Sequence, residues 1–269
     1  MEAIDFEKQW YALTIQNNFI FGRTMETNPD LCRHLLEKIL HIEIKTIEYP
    51  DREKVIESRT DSKGIRLDVY VEDKSSNRSF DIEMQITDSD NLAKRMRYYQ
   101  GLIDMDKLKH NQHYSELGES FIIFICPFDR FKEGRHIYTF HETCTECPCI
   151  KLDDGATKIF LSTKGTVDDV DKDVKAFLDY VESGAVSSEF VKKLDEAVKI
   201  VKSNRKAMKE FMTYEMTLLE SRQEGSIKKA EDIALKLIHR GDSIQDIHEI
   251  TELTIDHIKK LAEQTPAKT

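Results

Sequence analysis

The sequence predicts an α/β fold, in which a central mixed sheet is flanked by helices and followed by an all-helical C-terminal tail. Residues 66–72 and 79–86 alternate strictly between apolar and polar side chains, the period of a strand with two different faces. Apolar residues then recur at helical spacing over residues 92–103 and form a continuous run at residues 121–126. From about residue 168 the pattern is that of charged amphipathic helices.

Composition limits the class of protein. The chain has 269 residues, 39% hydrophobic and 33% charged, which is an ordinary globular balance. No apolar run reaches the roughly 18 residues of a membrane helix, and the first residues lack the pattern of a signal peptide. Five cysteines, an odd number, indicate reduced thiols, so we expect a cytoplasmic protein. The net charge of −10 argues against nucleic-acid binding through whole-molecule electrostatics, so any DNA contact would require a local basic patch or a bound metal ion.

The first core helix is predicted from residue 29 to about residue 41. Asn28 and Pro29 supply a helix cap and a first-turn proline. Apolar residues follow at helical spacing, at Leu31, Leu35, Leu36, Ile39 and Leu40. Residues 42–49 and 54–59 are strand-like but are interrupted by Pro50, so they predict one irregular strand and its connection.

A β-hairpin is predicted next, because the polar segment 73–78 separates the two alternating segments. Symmetric pairing about Ser75-Ser76 produces one wholly apolar face, with the pairs Leu67 and Met84, Val69 and Ile82, and Val71 and Phe80. The other face then carries the polar pairs, which are Asp68 and Glu83, and Arg66 and Gln85. Two carboxylates are therefore expected to face each other.

Opposed carboxylates favour a bound cation. Directly paired residues have Cβ atoms about 5 Å apart, where like charges destabilise a sheet. A hard ion such as Mg²⁺ resolves this conflict, because it binds one or two carboxylates together with water and phosphate oxygens. Glu37 lies about 60° from Leu40 around the first helix, as a candidate third acid at the rim of the site. The alternative is that Asp68 and Glu83 belong to a solvated outer face.

The later patterns complete the sheet and supply the tail. A helix is predicted from Leu92, Met96, Tyr99 and Ile103. The remaining expected elements are strands at residues 121–126, 136–140 and 158–161, helices at residues 168–182 and 187 to about 221, and short helices starting at Ser243 and Thr254.

Four short motifs occur in a fixed order along these elements. They are Asn18-Phe19-Ile20-Phe21, Arg66-Leu67-Asp68-Val69, Asp81-Ile82-Glu83-Met84-Gln85 and Lys94-Arg95-Met96-Arg97-Tyr98-Tyr99. The order of elements resembles the PD-(D/E)XK restriction-endonuclease-like core, and the motifs resemble the transposase-like recombination-promoting nucleases. The resemblance covers about residues 15–165, and the helical tail is similar too.

The resemblance implies a role for each matching residue. Asp68 and Glu83 are expected to bind Mg²⁺, for which Mn²⁺ would substitute. Gln85 takes the place of the signature lysine, and its amide can orient water but supplies no positive charge. Arg95 and Tyr98, on the helix that follows, are expected to contact the scissile phosphate or support the carboxylates.

This chain departs from the family pattern at one position. Asn18 stands where relatives often carry an aspartate, so an acidic role at that position is not expected.

We expect a nuclease core over residues 1–166 and a helical region over residues 167–269. The latter would end in a helix-turn-helix-like module at about residues 225–265, whose balanced charges favour packing or homodimer formation over base reading.

One further cluster has the residue types of a zinc site, namely His141, Cys144, Cys147 and Cys149. Three of these residues lie within a short stretch that contains Pro148, and the chain has no second group of ligands. Free loop thiols are therefore favoured over zinc.

The sequence thus favours a metal-dependent DNA endonuclease associated with recombination or mobile elements. A second hypothesis is a catalytically weak or inactive nucleic-acid-binding or regulatory protein that retains the nuclease fold, which Gln85 and the acidic net charge motivate. A third is an interaction protein whose hairpin acids are surface residues and whose C-terminal helices form the interface.

Overall fold

The computed structural model describes residues 6–49, 55–56 and 64–264. The chain divides into two compact units, Met1–Arg205 and Lys206–Thr269. The first unit holds the sheet and its helices, and the second is helical. Two helices that follow residue 166 lie within the first unit. The nuclease domain boundary at residue 166 remains a prediction.

From residue 29 onward the elements of the first unit follow the predicted α/β order. Two helices precede that point, and the second of them buries Phe19, Ile20 and Phe21, so the prediction that the helix from Pro29 is the first core helix is wrong. The helices of the first unit are α1 (Phe6–Ala12), α2 (Asn18–Thr27), α3 (Pro29–Leu40), α4 (Leu92–Lys107), α5 (Lys172–Ser183) and α6 (Glu189–Ser203). Its strands are β1 (Val55–Ile56), β2 (Ile65–Arg66), β3 (Val69–Asp73), β4 (Arg78–Met84), β5 (Glu119–Cys126), β6 (Ile137–Phe140) and β7 (Ala156–Ser162).

The main sheet is mixed, as predicted, and has the strand order β3-β4-β5-β7-β6. The pairs β4–β5 and β5–β7 are parallel, whereas β3–β4 and β6–β7 are antiparallel. Because β4, β5 and β7 point the same way, their carboxyl ends meet at one edge of the sheet. Strands β1 and β2 form a separate two-stranded sheet.

Two predicted segments differ from the structure. Residues 42–49 form no regular strand and contribute only a bridge between Glu48 and Glu72. Of residues 54–59, only β1 belongs to the described part of the chain. The single helix expected over residues 187–221 is two helices, because the backbone of Asn204 is extended (φ −82°, ψ 108°) and ends α6.

The hairpin register is confirmed along β3 and β4. Val69 pairs with Ile82 and Val71 pairs with Phe80. The ladder stops at Val69, however, because the chain bends at Asp68 and β2 pairs with β1 instead. The predicted pairs Arg66 with Gln85 and Leu67 with Met84 are therefore wrong. Asp68 and Glu83 are not a ladder pair either.

Both faces of the hairpin are buried. Helix α4 packs over the face that carries Asp81 and Glu83, in a core shared with Tyr70, Ile122 and Phe124. Asp81 is 0% exposed and Glu83 is 3% exposed. The alternative of a solvated outer face is therefore wrong, and these acids are held in a low-dielectric interior.

The hairpin turn is organised by a buried carboxylate, Asp73. It accepts hydrogen bonds from the hydroxyls of Ser75 (2.6 Å), Ser76 (2.8 Å) and Thr46 (2.9 Å) and from the backbone N–H of Ser75 (3.1 Å). Burial by itself raises the pKa of Asp73, but these hydrogen bonds outweigh it and lower the pKa below the usual range.

Replacing Asp73 with alanine is expected to cost about 3 kcal/mol of stability, because several buried donors lose their acceptor. The folded pKa lies below the unfolded value of about 3.9, so this contribution is present above pH 4 and is lost as the pH falls further. Urea unfolding at pH 7 and at pH 3 measures both effects. Asp30→Ala is the control, since that side chain is 92% exposed; an equal loss in both variants at pH 7 would contradict the role of Asp73.

The second unit contains α7 (Arg205–Arg240) from Lys206 onward, α8 (Ile244–Thr251) and α9 (Ile255–Gln264). The end of α7 shares a small core with α8, α9 and the turn between them, formed by Ala234, Leu237, Ile247, Leu253 and Ile258. The Ser243 hydroxyl accepts from the Asp246 N–H (3.1 Å), and the Thr254 hydroxyl accepts from the His257 N–H (3.3 Å). Both predicted helix starts are confirmed. Across the described residues, no helix has the length and apolarity needed to span a membrane.

Candidate active site

Asp68 and Glu83 meet where β3 begins and β4 ends. The Asp68 N–H donates to Glu83 Oε1 (2.8 Å), and the Met84 N–H donates to Asp68 Oδ2 (3.1 Å). Each carboxylate is thus fixed by the backbone of the opposite strand, which orients both acids without using all of their oxygen lone pairs.

The electrostatics of this pair favour a positive ion. Burial raises the pKa of Asp68 to about 6, although the Met84 N–H and the charge of Arg66 oppose that shift. Burial also raises the pKa of Glu83 well above its usual range, and the charge of Asp68 raises it further. Two carboxylates that are costly to ionise together become less costly when a cation lies beside them.

A third acid, Asp81, lies on the same face of β4 and was missed from the sequence. It is 0% exposed, and neither side-chain oxygen has a hydrogen-bond partner among the described residues. Burial, followed by the charge of Asp68, raises its pKa. The alternation of Asp81, Glu83 and Gln85 was the available signal, because residues two apart share a face.

Gln85 is tied to a cation on α4. Arg95 Nη1 donates to Gln85 Oε1 (2.6 Å), and Arg95 Nη2 donates to the Tyr99 hydroxyl (2.8 Å). Gln85 Nε2 in turn lies 3.4 Å from Glu83 Oε2. The Arg95 guanidinium also lies over the ring of Phe124, 5.8 Å from its centroid. Arg95 therefore brings a fixed positive charge to the carboxylates through the amide of Gln85.

These side chains open onto a polar cleft of about 300 Å³. Its lining includes Asn18, Arg66, Asp68, Glu83, Gln85 and Arg95. A larger groove of about 660 Å³ shares Arg66 and Arg95 with the cleft and adds Lys94 and Tyr98. The structure thus brings together the predicted Asp68, Glu83, Gln85 and Arg95, and it places Tyr98 in the adjoining groove.

Glu37 is not part of this arrangement. Its Oε1 accepts a hydrogen bond from the Ile44 N–H (2.9 Å) and so fixes the chain that leaves α3. It does not line the cleft of Asp68 and Glu83. The predicted third ligand thus has a structural partner instead. Within the described ranges, no group of three or more His, Cys, Asp or Glu residues is arranged to hold a metal ion.

The cleft still fits a hard divalent ion held by two carboxylates. Such ions bind one or two acids and complete their shell with water and phosphate oxygens. The donors available are carboxylate oxygens of Asp68 and Glu83, held beside a polar opening.

The fold and the cleft agree with a comparison against known families. The family described as PD-(D/E)XK nuclease family transposase matches residues 18–161, which is more than half of the chain. The chain belongs to this family. No curated protein and no solved structure gives a significant match.

Membership in the PD-(D/E)XK nuclease family transposases associates the chain with nucleases and mobile elements. Nucleases of this kind typically use divalent metals. The matched region contains the whole cleft, from Asn18 on α2 to Tyr99 on α4. It ends within β7 and leaves the C-terminal helices outside the match.

Proposed function

We propose that the chain is a Mg²⁺-dependent endodeoxyribonuclease that acts in DNA recombination or the movement of mobile elements. The observation that carries the proposal is the pair Asp68 and Glu83, each anchored by the backbone of the opposite strand in a polar cleft. Mn²⁺ is expected to substitute, because it also accepts oxygen ligands.

The cleft residues have distinct parts in phosphodiester hydrolysis. Asp68 and Glu83 would hold the ion, which supplies Lewis-acid polarisation of the scissile phosphate when bound. The amide of Gln85 orients the attacking water through its remaining hydrogen-bonding capacity. Arg95 stabilises the negative charge that develops on the phosphate, which is the contribution a lysine at position 85 would otherwise make.

The groove beside the cleft supports DNA as the substrate. Arg66, Lys94 and Arg95 concentrate positive charge there in a chain whose net charge is −10. Backbone phosphates require such a local patch. Tyr98 is 39% exposed beside it and offers an aromatic surface to a sugar or a base.

A second candidate function is a nucleic-acid-binding or regulatory protein with weak or no catalysis. The observation that favours it is Gln85 at the position of the signature lysine, where it is engaged by Arg95 and Glu83. A cytoplasmic location and a homodimer formed through the C-terminal helices are further proposals that rest on the sequence.

The deciding experiment is cleavage of supercoiled plasmid by the purified full chain at low salt, with Mg²⁺, Mn²⁺ or EDTA. The endonuclease proposal predicts nicked or linear product with either metal ion and none with EDTA. The matched control is Asp68→Asn, which removes one carboxylate charge at nearly constant shape. Folded wild-type protein that binds DNA without cleaving it would replace the proposal with the regulatory function.

Gly22 on α2 supports the position of Asp68 by its lack of a side chain. A Cβ at residue 22 would lie 2.7 Å from the backbone oxygen of Asp68, closer than a carbon and an oxygen can approach. Gly22→Ala is therefore expected to displace Asp68 and to lower the cleavage rate by about 10²-fold. Gly101→Ala on α4 is the matched control, because nothing lies within 4 Å of its added Cβ. Plasmid cleavage and thermal unfolding of both variants test this, and equal rates would contradict it.

A further inference from the structure

The loop that joins β6 to β7 carries a pair of thiols that the proposed nuclease does not use. Cys147 Sγ and Cys149 Sγ lie 2.9 Å apart. Cys149 is exposed and Cys147 is partly exposed. Cys32 and Cys126, by contrast, are buried in the interior of the first unit.

Backbone hydrogen bonds fix the loop around this pair. Thr143 and Lys151 form a bridge, and the Cys144 N–H donates to the Ile150 oxygen (3.0 Å). The Ile150 N–H donates to the Cys147 oxygen (2.9 Å), which closes a turn with Pro148 at its second position. Proline fixes its own φ and so restricts this turn. The backbone that carries the two cysteines is thus restricted by its own hydrogen bonds, and on it the two sulfurs lie 2.9 Å apart.

The other candidate zinc ligands do not join the pair. His141 Nδ1 lies 3.5 Å from the Thr157 hydroxyl, and the Cys144 thiol donates to Glu146 Oε2 (3.3 Å). Two sulfurs that share a tetrahedral zinc ion lie about 3.8 Å apart, so a separation of 2.9 Å leaves no room for an ion between them. A disulfide requires about 2.05 Å, which the pair reaches by a further approach of the same sulfurs.

We propose that Cys147 and Cys149 are a redox modification site, which closes to a reversible disulfide within the loop when it meets a low-molecular-weight disulfide such as oxidised glutathione. The proposal is independent of nuclease activity. The loop enters β7 at its amino end, whereas the acidic cleft lies at the carboxyl end of β4, and these parallel strands place the two sites at opposite edges of the sheet.

The reaction is a balanced thiol–disulfide exchange. The Cys149 thiolate attacks one sulfur of oxidised glutathione, forms a mixed disulfide and releases one glutathione thiolate. The Cys147 thiolate then attacks the Cys149 sulfur, so the protein disulfide forms and the second glutathione thiolate leaves. The two electrons reduce the glutathione disulfide, and the two protons from the cysteines go to the released thiolates.

The test equilibrates the folded full chain with mixtures of reduced and oxidised glutathione, alkylates the free thiols and locates them by peptide mass spectrometry. The expected result is loss of two alkylation sites together, at Cys147 and Cys149, with full recovery after reduction. Cys144→Ser is expected to leave this unchanged. Cys147→Ser is expected to trap a mixed disulfide of glutathione with Cys149. Thermal unfolding of each reduced variant checks that the fold is retained.

Two results would overturn the proposal. One is that both thiols remain alkylated, or that Cys144 pairs with either of them, in oxidising mixtures. The other is that Zn²⁺ alone binds with one-to-one stoichiometry and protects Cys144, Cys147 and Cys149 together, which would assign the loop to a metal site.

Discussion

Substituting Asp68 with asparagine or Glu83 with glutamine is expected to lower metal-dependent DNA cleavage by about 10³-fold or more. Each change removes a charge that the ion requires but retains the shape of the side chain. In EDTA at pH 7 both variants should be at least as stable as wild type, because burial disfavours the charged form of both acids. Plasmid cleavage, calorimetric titration with Mg²⁺ and urea unfolding measure the cleavage rate, the Mg²⁺ affinity and the stability separately.

Glu37→Gln is the matched control for these carboxylates. Its side chain accepts from the Ile44 N–H outside the cleft, and the amide oxygen of glutamine can accept the same hydrogen bond, so this variant should retain both Mg²⁺ affinity and the cleavage rate. Loss of Mg²⁺ binding in Glu37→Gln, with retention in Asp68→Asn, would move the metal site away from the cleft described above.

The register of the hairpin was predictable because a one-residue slip would move every apolar side chain to the wrong face. Val69 opposite Ile82 and Val71 opposite Phe80 follow from this rule alone. The end of the ladder was not predictable in the same way. Alternation continues through Arg66, but β2 pairs with β1, which lies beyond an interruption in the pattern. Competition between pairing partners is a tertiary effect that periodicity does not contain.

The burial of Asp81 and Glu83 could not be predicted from the alternation of apolar and polar residues either. Alternation places Asp81 and Glu83 on one face, but whether that face meets solvent or α4 depends on the path of the chain. The same holds for Glu37. Its position beside the apolar stripe did not predict its partner, which is the N–H of Ile44 in the segment after α3. Local periods predict which residues share a face, and tertiary packing decides what that face contacts.

The contact between Gln85 and Arg95 depends both on the local sequence and on tertiary packing. Each residue belongs to a motif that was recognised from the sequence, but their 2.6 Å hydrogen bond depends on how α4 crosses β4. The sequence places an amide at the position of the signature lysine, and it predicted that Arg95 would support the carboxylates without saying which residue Arg95 contacts. In the structure the guanidinium of Arg95 reaches Gln85 from α4.

Arg95→Gln is expected to lower kcat by about 10² to 10³-fold, because it removes a fixed positive charge from a partly buried site. Transferring the charge to the strand, in the double variant Arg95→Gln with Gln85→Lys, should restore kcat to within about tenfold of wild type. Gln85→Lys alone places two cations together and should gain nothing over wild type. Steady-state cleavage at saturating DNA separates these effects on kcat from those on KM.

Lys94→Gln separates catalysis from DNA binding, since Lys94 lies in the groove but not in the cleft. Loss of one phosphate contact should raise KM and reduce the salt dependence of DNA binding by about one counterion, with little effect on kcat. If Arg95 supplies the charge of the signature lysine, then loss of Arg95 should lower kcat, whereas loss of the neighbouring Lys94 should raise KM. Two results would contradict this role: a double variant that is no faster than Arg95→Gln, or a Lys94→Gln variant that lowers kcat as much as Arg95→Gln does. Arg95 would then only bind a phosphate, and no residue would supply the charge of the signature lysine.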